Sequence, residues 1–136
     1  MIKKAFSLFE LLVVISIIGI LVAVASLSYG TAQKKARDTR RVDDMNAIQK
    51  AAEMYYGQKN YVYPATTGPS GDFITSGVMQ QWPKDPKGIG YTQYTYRIGT
   101  TYCACAAVED PASGNSINNT CSFAATGAYY CIKSQQ

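Results

Sequence analysis

The chain has 136 residues, 13 Lys plus Arg, nine Asp plus Glu and no histidine, giving a formal net charge of +4. That length is one domain's worth of sequence. The absence of histidine excludes histidine-based acid–base catalysis, Ser-His-Asp or Cys-His triads and histidine-ligated zinc. No carboxylate can be paired with a nucleophile or base from the sequence, so an enzyme is not expected.

The distribution is uneven. Residues 6 to 28 carry one charge, five of the eight residues from Lys34 to Arg41 are basic, and all four cysteines and ten of the eleven tyrosines lie beyond residue 54. Met1 to Ala5 is a short basic start, followed by the 22 residues Phe6 to Leu27 with Glu10 as their only charge. At about 1.5 Å per residue this stretch spans roughly 33 Å as a helix, enough to cross a hydrocarbon core of about 30 Å. Three readings fit: a cleaved secretory signal with Ala23-Val24-Ala25 as its small-residue site, a plain membrane anchor, or a signal cut ahead of the apolar stretch, which the mature chain keeps.

Glu10 decides between them. A carboxylate in a membrane segment costs roughly 2.5 to 3.5 kcal/mol near the bilayer centre and less towards an end. Neither a signal peptide nor a plain anchor needs one. If the chain is cut between Ala5 and Phe6, a new α-amino group stands four residues before Glu10, and that amine, or the amine of a neighbouring copy, can neutralise the carboxylate on assembly. Ala5-Phe6-Ser7-Leu8-Phe9-Glu10-Leu11-Leu12-Val13-Val14 resembles the signature of type IV pilins and type II secretion pseudopilins. The resemblance implies that a prepilin peptidase cuts before Phe6 and N-methylates it, and that Glu10 guides assembly. The family usually has Gly before the cut, where this chain has the small residue Ala5.

Ser16, Gly19, Ala23, Ser26 and Gly30 follow at spacings of three and four, one helical face of small residues that lets apolar helices approach closely. Major pilins often carry a Pro where this chain has Leu27, so local unwinding in a filament would rest on Gly19. Two Lys precede the span and five Lys and Arg follow soon after, which by the positive-inside rule favours the opposite orientation. The distal cysteines need an oxidising compartment, so the N-terminus is placed on the cytoplasmic side.

From Thr31 to Tyr56 the helix pattern continues without Pro or Gly. Ala32, Ala36, Thr39, Val42, Met45, Ile48, Ala52 and Tyr55 form an apolar stripe. Lys34, Lys35, Arg37, Asp38, Arg40, Arg41, Asp43, Asp44, Lys50 and Glu53 fall on the other face, read as solvated or bridging between subunits. Their interspersed aspartates argue against a nucleic-acid site. Gly57 is the expected C-cap. The 51 residues from Phe6 to Tyr56 make a helix of about 75 Å, longer than the remaining residues can bury, so other copies of itself are the natural partners. Residues 35 to 64 also resemble the second half of the pilin helix and the turn after it.

Beyond residue 58 the chain reads as loops and short strands. Asp85-Pro86-Lys87-Gly88 suits a type I turn, and with Pro83 and Tyr91 it resembles an element of the major pseudopilin of type II secretion. Tyr91 to Ile98, Thr101 to Val108 and Ala128 to Lys133 are expected strands, the first two joined by a Gly99-Thr100 turn of type II′. Trp82 is expected to anchor the core. Four cysteines imply two disulfides. Cys103 and Cys105, two apart on one strand face, are poorly placed to bond each other, so each should take one of Cys121 and Cys131 and pin the loop between Glu109 and Gly127. A zinc site is disfavoured by the Cys-Ala-Cys spacing. Glu109, Asp110, Asn115 and Asn118 could offer calcium oxygens, but the Asp-rich pattern of the calcium-binding pseudopilins is not matched. No metal or cofactor is expected, and the tyrosines are read as packing residues.

The expected fold class is therefore α+β, a pilin fold with a long N-terminal helix, transmembrane then amphipathic, packed on a small C-terminal antiparallel sheet. The expected segments are a leader at 1–5, a transmembrane and assembly half-helix at 6–28, an amphipathic half-helix at 29–57 and a β-rich head at 58–136. The expected function is that of a structural subunit of an extracellular type IV pilus-like filament supporting adhesion, twitching motility or DNA uptake. Its partners are further copies in a helical homo-oligomer, the inner membrane before assembly, and the prepilin peptidase and pilus assembly machinery. Nucleic acid is not indicated. The alternatives are a major pseudopilin and an exported monomeric binding module.

Overall fold

The computed structural model describes residues 7–68, 70–88 and 93–136. The expectations for Ala5, Phe6 and Tyr91 concern residues outside that set. The elements are a long helix α1 (Leu8–Gln58), a short helix α2 (Asp72–Thr75), strands β1 (Thr95–Ile98) and β2 (Tyr102–Ala107), a 3-10 turn at Pro111–Ser113, and strand β3 (Tyr129–Lys133). The chain divides into two units, 1–33 and 34–136.

In the first unit the described residues are all helical from Leu8 onward, and residues 7–26 are exposed throughout. Such a helix has no core of its own to satisfy. It is long and apolar enough to cross a membrane. Ser16 and Ser26 donate their hydroxyls to the carbonyls of Leu12 and Val22 at 2.8 Å, so neither polar group is left unbonded in an apolar segment.

In the second unit α1 meets a three-stranded antiparallel sheet of order β1-β2-β3. Met45, Ile48, Ala51 and Ala52 of α1 form the core with Tyr63, Phe73, Tyr94, Tyr102, Ala104, Ala106 and Ile132. The alternation of β2 explains its central place. Tyr102, Ala104 and Ala106 share one pleat face and join that core, and the two alanines let the helix come close. Cys103 and Cys105 point to the other face and bond Cys121 and Cys131, so the segment from 109 to 127 covers the sheet there.

Two local expectations are corrected. The helix does not stop at Gly57; it ends in a Schellman motif with Asn60 in the left-handed region (φ 51°) and Tyr61 N–H donating to the Tyr56 carbonyl at 3.1 Å. The rings of Tyr56 and Tyr61 supply the contact that accompanies this cap, 5.4 Å between centroids. The β1–β2 hairpin is not a two-residue II′ turn. Ile98 pairs with Tyr102, leaving residues 99 to 101 as the loop, closed by Gly99 N–H to the Thr101 carbonyl at 2.8 Å. Asp85-Pro86-Lys87-Gly88 does close as a turn, Gly88 N–H donating to the Asp85 carbonyl at 2.9 Å.

Candidate assembly surface and buried ion cluster

At the start of α1, Ser7 Oγ accepts from Phe9 N–H at 3.3 Å and Glu10 Oε2 accepts from Ser7 N–H at 3.1 Å. This is a capping box, which satisfies two of the four donors a helix N-terminus leaves open. Reading Glu10 only as an assembly residue overlooked it, although Ser-x-x-Glu ahead of an apolar run is its signature. Leu8, Leu11, Ile15, Ile18 and Leu21 are exposed apolar side chains of the same helix. A Cβ built on Gly19 or Gly30 meets nothing within 4 Å, so both glycines leave open space beside the helix.

The second feature lies where α1 enters the head. The stripe that buries Met45, Ile48 and Ala52 continues towards the N-terminus at the same spacing through Arg41 and Asp38, both fully buried. Ala32, Ala36 and Thr39, expected on that stripe, are exposed, while Arg37, Asp38 and Arg41, expected on the solvated face, turn inward. Arg41 holds Asp85 with both arms of its guanidinium, Nε to Oδ2 at 2.7 Å and Nη2 to Oδ1 at 2.9 Å. Its Nη1 donates to Asp38 at 2.7 Å and to Glu109 at 3.0 Å. Asp38 also accepts the backbone N–H groups of Glu109 and Asp110. Glu109 is gripped by Arg37 at 2.6 and 2.8 Å and by Lys87 at 3.0 Å. Three carboxylates thus face three cations, and the cluster ties α1 to the 85–88 turn and to the chain leaving β2.

Its electrostatics follow from this geometry. The hydrogen bond from Arg37 holds the Glu109 carboxyl far below the usual carboxylate range, with Lys87 and Arg41 adding to it and burial opposing. For Arg41 burial works against the charge, but the hydrogen bonds to Asp85, Asp38 and Glu109 outweigh it and raise its pKa further. Periodicity counts apolar residues, so a charged pair on the inner face escaped it.

Other acids of the head are engaged internally as well. Asp44 accepts from the Tyr94 hydroxyl at 2.6 Å, Glu53 from Tyr63, Tyr102 and the Gln135 N–H, and Asp72 from the N–H groups of Ala65 and Thr66. Lys34, Lys35, Arg40, Lys84 and Arg97 remain exposed. The residues considered for calcium have other work. Glu109 sits in the ion cluster, Asp110 caps the 3-10 turn, Asn115 bonds both backbone groups of Cys131, and Asn118 accepts from Thr120. Ser116 is fully buried beneath this loop, while Pro111, Ile117, Asn118 and Phe123 stay exposed.

Together these features are an exposed apolar helix that continues into a disulfide-bonded α+β head. Comparison with known proteins agrees. The prokaryotic N-terminal methylation motif matches residues 1–26. The chain is 41% identical over 99 residues to two fimbrial proteins of Pseudomonas aeruginosa, matches that cover 72% of this chain and 54% of each relative. It therefore spans about half the length of the curated relatives it matches. No solved structure matches it. The chain carries the N-methylation motif of type IV pilins and pseudopilins and is similar to fimbrial proteins, the resemblance expected from residues 5–14.

Proposed function

We propose that this chain is the structural subunit of a type IV pilus-like filament, assembled through α1 after cleavage between Ala5 and Phe6. One observation carries the reading: the methylation motif of residues 1–26 runs into a helix whose apolar side chains from Leu8 to Val24 are exposed in the single chain. Such a surface is stable only in lipid or against other copies. The precursor waits in the inner membrane, loses residues 1–5 to the prepilin peptidase, and enters a helical bundle on the cell surface.

In that bundle the Glu10 carboxylate exchanges the Ser7 N–H for the methylated Phe6 amine of a neighbour, trading a neutral donor for a charged one. Gly19 and its small-residue face let neighbouring helices approach. The heads coat the outside, where oxidising conditions keep Cys103, Cys105, Cys121 and Cys131 bonded. The role is association, without catalysis, and adhesion, twitching motility and DNA uptake are the tasks such a filament serves.

Intact mass and N-terminal sequencing of the protein from its native envelope test the reading. A mature chain beginning at N-methylated Phe6 is expected; a start at Ser26 would remove the assembly helix and leave an exported binding module. A second reading, a major pseudopilin, is favoured by the Asp85-Pro86-Lys87-Gly88 turn. Long surface filaments at normal expression speak for the pilus, and their absence speaks for the pseudopilus.

A further inference from the structure

Trp82, the chain's one tryptophan, lines two cavities. The first, of about 350 Å³, is bounded by Arg40, Asp44, Gln81, Trp82, Pro83 and Lys84. The second, of about 390 Å³, sets Ile74, Gln80 and Gln93 around the same indole. Both volumes fall in the range of small-ligand sites, which join an aromatic wall to a few convergent polar groups.

The indole is held in place, with Phe73 at 5.2 Å and Tyr96 edge-on at 6.3 Å between ring centroids. Trp82 is half-buried, so part of its surface remains open. Around it, the side chains of Arg40, Gln81 and Lys84 take no part in the hydrogen bonds or ion pairs of the described residues. Arg40 already acts on Asp44 by charge, and with Gln81 and Lys84 it stands beside an aromatic wall that need not reorganise.

We propose that this cavity binds an acidic oligosaccharide through one uronate-type sugar. The apolar C–H face of the pyranose lies on Trp82. Its carboxylate pairs with Arg40 and Lys84. Ring hydroxyls donate to the Asp44 carboxylate, whose Oδ2 already accepts from Tyr94 at 2.6 Å, and exchange hydrogen bonds with the Gln81 amide.

Cations beside an aromatic ring also suit single-stranded nucleic acid. Asp44 argues against that occupant. A single-stranded DNA backbone presents no hydroxyl to that carboxylate, whereas a sugar ring presents several beside its one acidic group. The binding proposal does not depend on filament assembly, because every residue it uses lies in the second unit, 34–136.

The full chain in zwitterionic micelles free of sugar headgroups provides the test, with Trp82 emission as the readout. Titration with oligogalacturonate should change the emission saturably, and neutral maltohexaose should not. Arg40→Ala and Lys84→Ala should each weaken the response by on the order of tenfold, the loss of one charge-assisted contact. Lys50→Ala, an exposed site not lining either cavity, should leave it unchanged, and circular dichroism should show the same fold for all three variants. No saturable change, an equal response to maltohexaose, indifference to both cation variants, or tighter binding of oligothymidylate would each overturn the proposal.

Discussion

Arg41 is the residue on which the head's attachment to α1 turns. With no exposed surface, its guanidinium relies on protein partners, Asp38, Asp85 and Glu109 among them, in place of water. Arg41→Met leaves the carboxylates facing one another without their central cation, and removal of one partner from a buried cluster costs about 3–5 kcal/mol. That loss should appear as a lower denaturation midpoint, with Lys50→Ala within about 0.5 kcal/mol of the parent.

Glu109 extends the argument to pH. Its folded carboxyl titrates far below the ordinary value of about 4.3, so its stabilisation is complete above that value and is lost as pH falls towards the folded titration point. Asp72 acts in the same direction: burial opposes the shift, but the N–H groups of Thr66 and Ala65 outweigh it. Asp44 runs the other way. Burial raises it, so its contribution favours folding at low pH and fades as pH rises through its folded value. Glu109 is displaced furthest of these acids, and the head should lose stability below about pH 4. Glu109→Gln should be less stable at neutral pH and show a flatter acid limb, which midpoints measured across pH will check.

At the scale of elements, the end of α1 depends on two consecutive left-handed residues, Asn60 (φ 51°) and Tyr61 (φ 60°). Asn60 tolerates φ 51° better than residues whose side chain cannot bond locally. Asn60→Ala should cost about 1 kcal/mol, while Asn60→Gly should be neutral or stabilising. Thermal denaturation of the pair separates the backbone effect from loss of the side chain. The presence of α1 and of three strands was legible because hydrophobic period and β-branched or aromatic runs report directly on burial, although Gln93 and Tyr94, expected in the first strand, lie outside β1. The cap was less legible. Gly57 carries the usual C-cap residue type, but Tyr61 can reach back to Tyr56 only if the helix runs one turn further. The Asp85 turn was legible as a turn, whereas the task of its carboxylate depends on a residue 44 positions away.

For the whole molecule, the two disulfides close segments with sequence separations of 18 and 26 residues. Chain entropy assigns each roughly 3 kcal/mol. Removing Cys103–Cys121 as a double alanine variant should release the 109–127 segment while β2 and β3 stay paired, since Cys105 and Cys131 lie opposite each other in the ladder. Hydrogen exchange that rises in the segment and stays low in β2 would bear this out. Sequence spacing pointed to crossed pairs without choosing between the two arrangements, because the choice depends on how the segment folds back across the sheet. It gave no sign that Gly114 and Gly127 approach so closely that a Cβ on Gly114 would run into the Gly127 carbonyl oxygen.

Copies of residues 34–136 brought side by side meet with an excess of positive charge that exposed Asp43 and Asp110 offset only in part. Asp38, Asp85 and Glu109 face inward, while Lys34, Lys35, Arg40, Lys84 and Arg97 look outward. Repulsion between such surfaces reaches about 8 Å at physiological ionic strength and further in dilute buffer. Small anions gathered between the heads reduce that repulsion, so the ion atmosphere becomes a third party to any lateral contact. The inward carboxylates that fasten each head to its own helix therefore leave the spacing between neighbours to the salt of the medium.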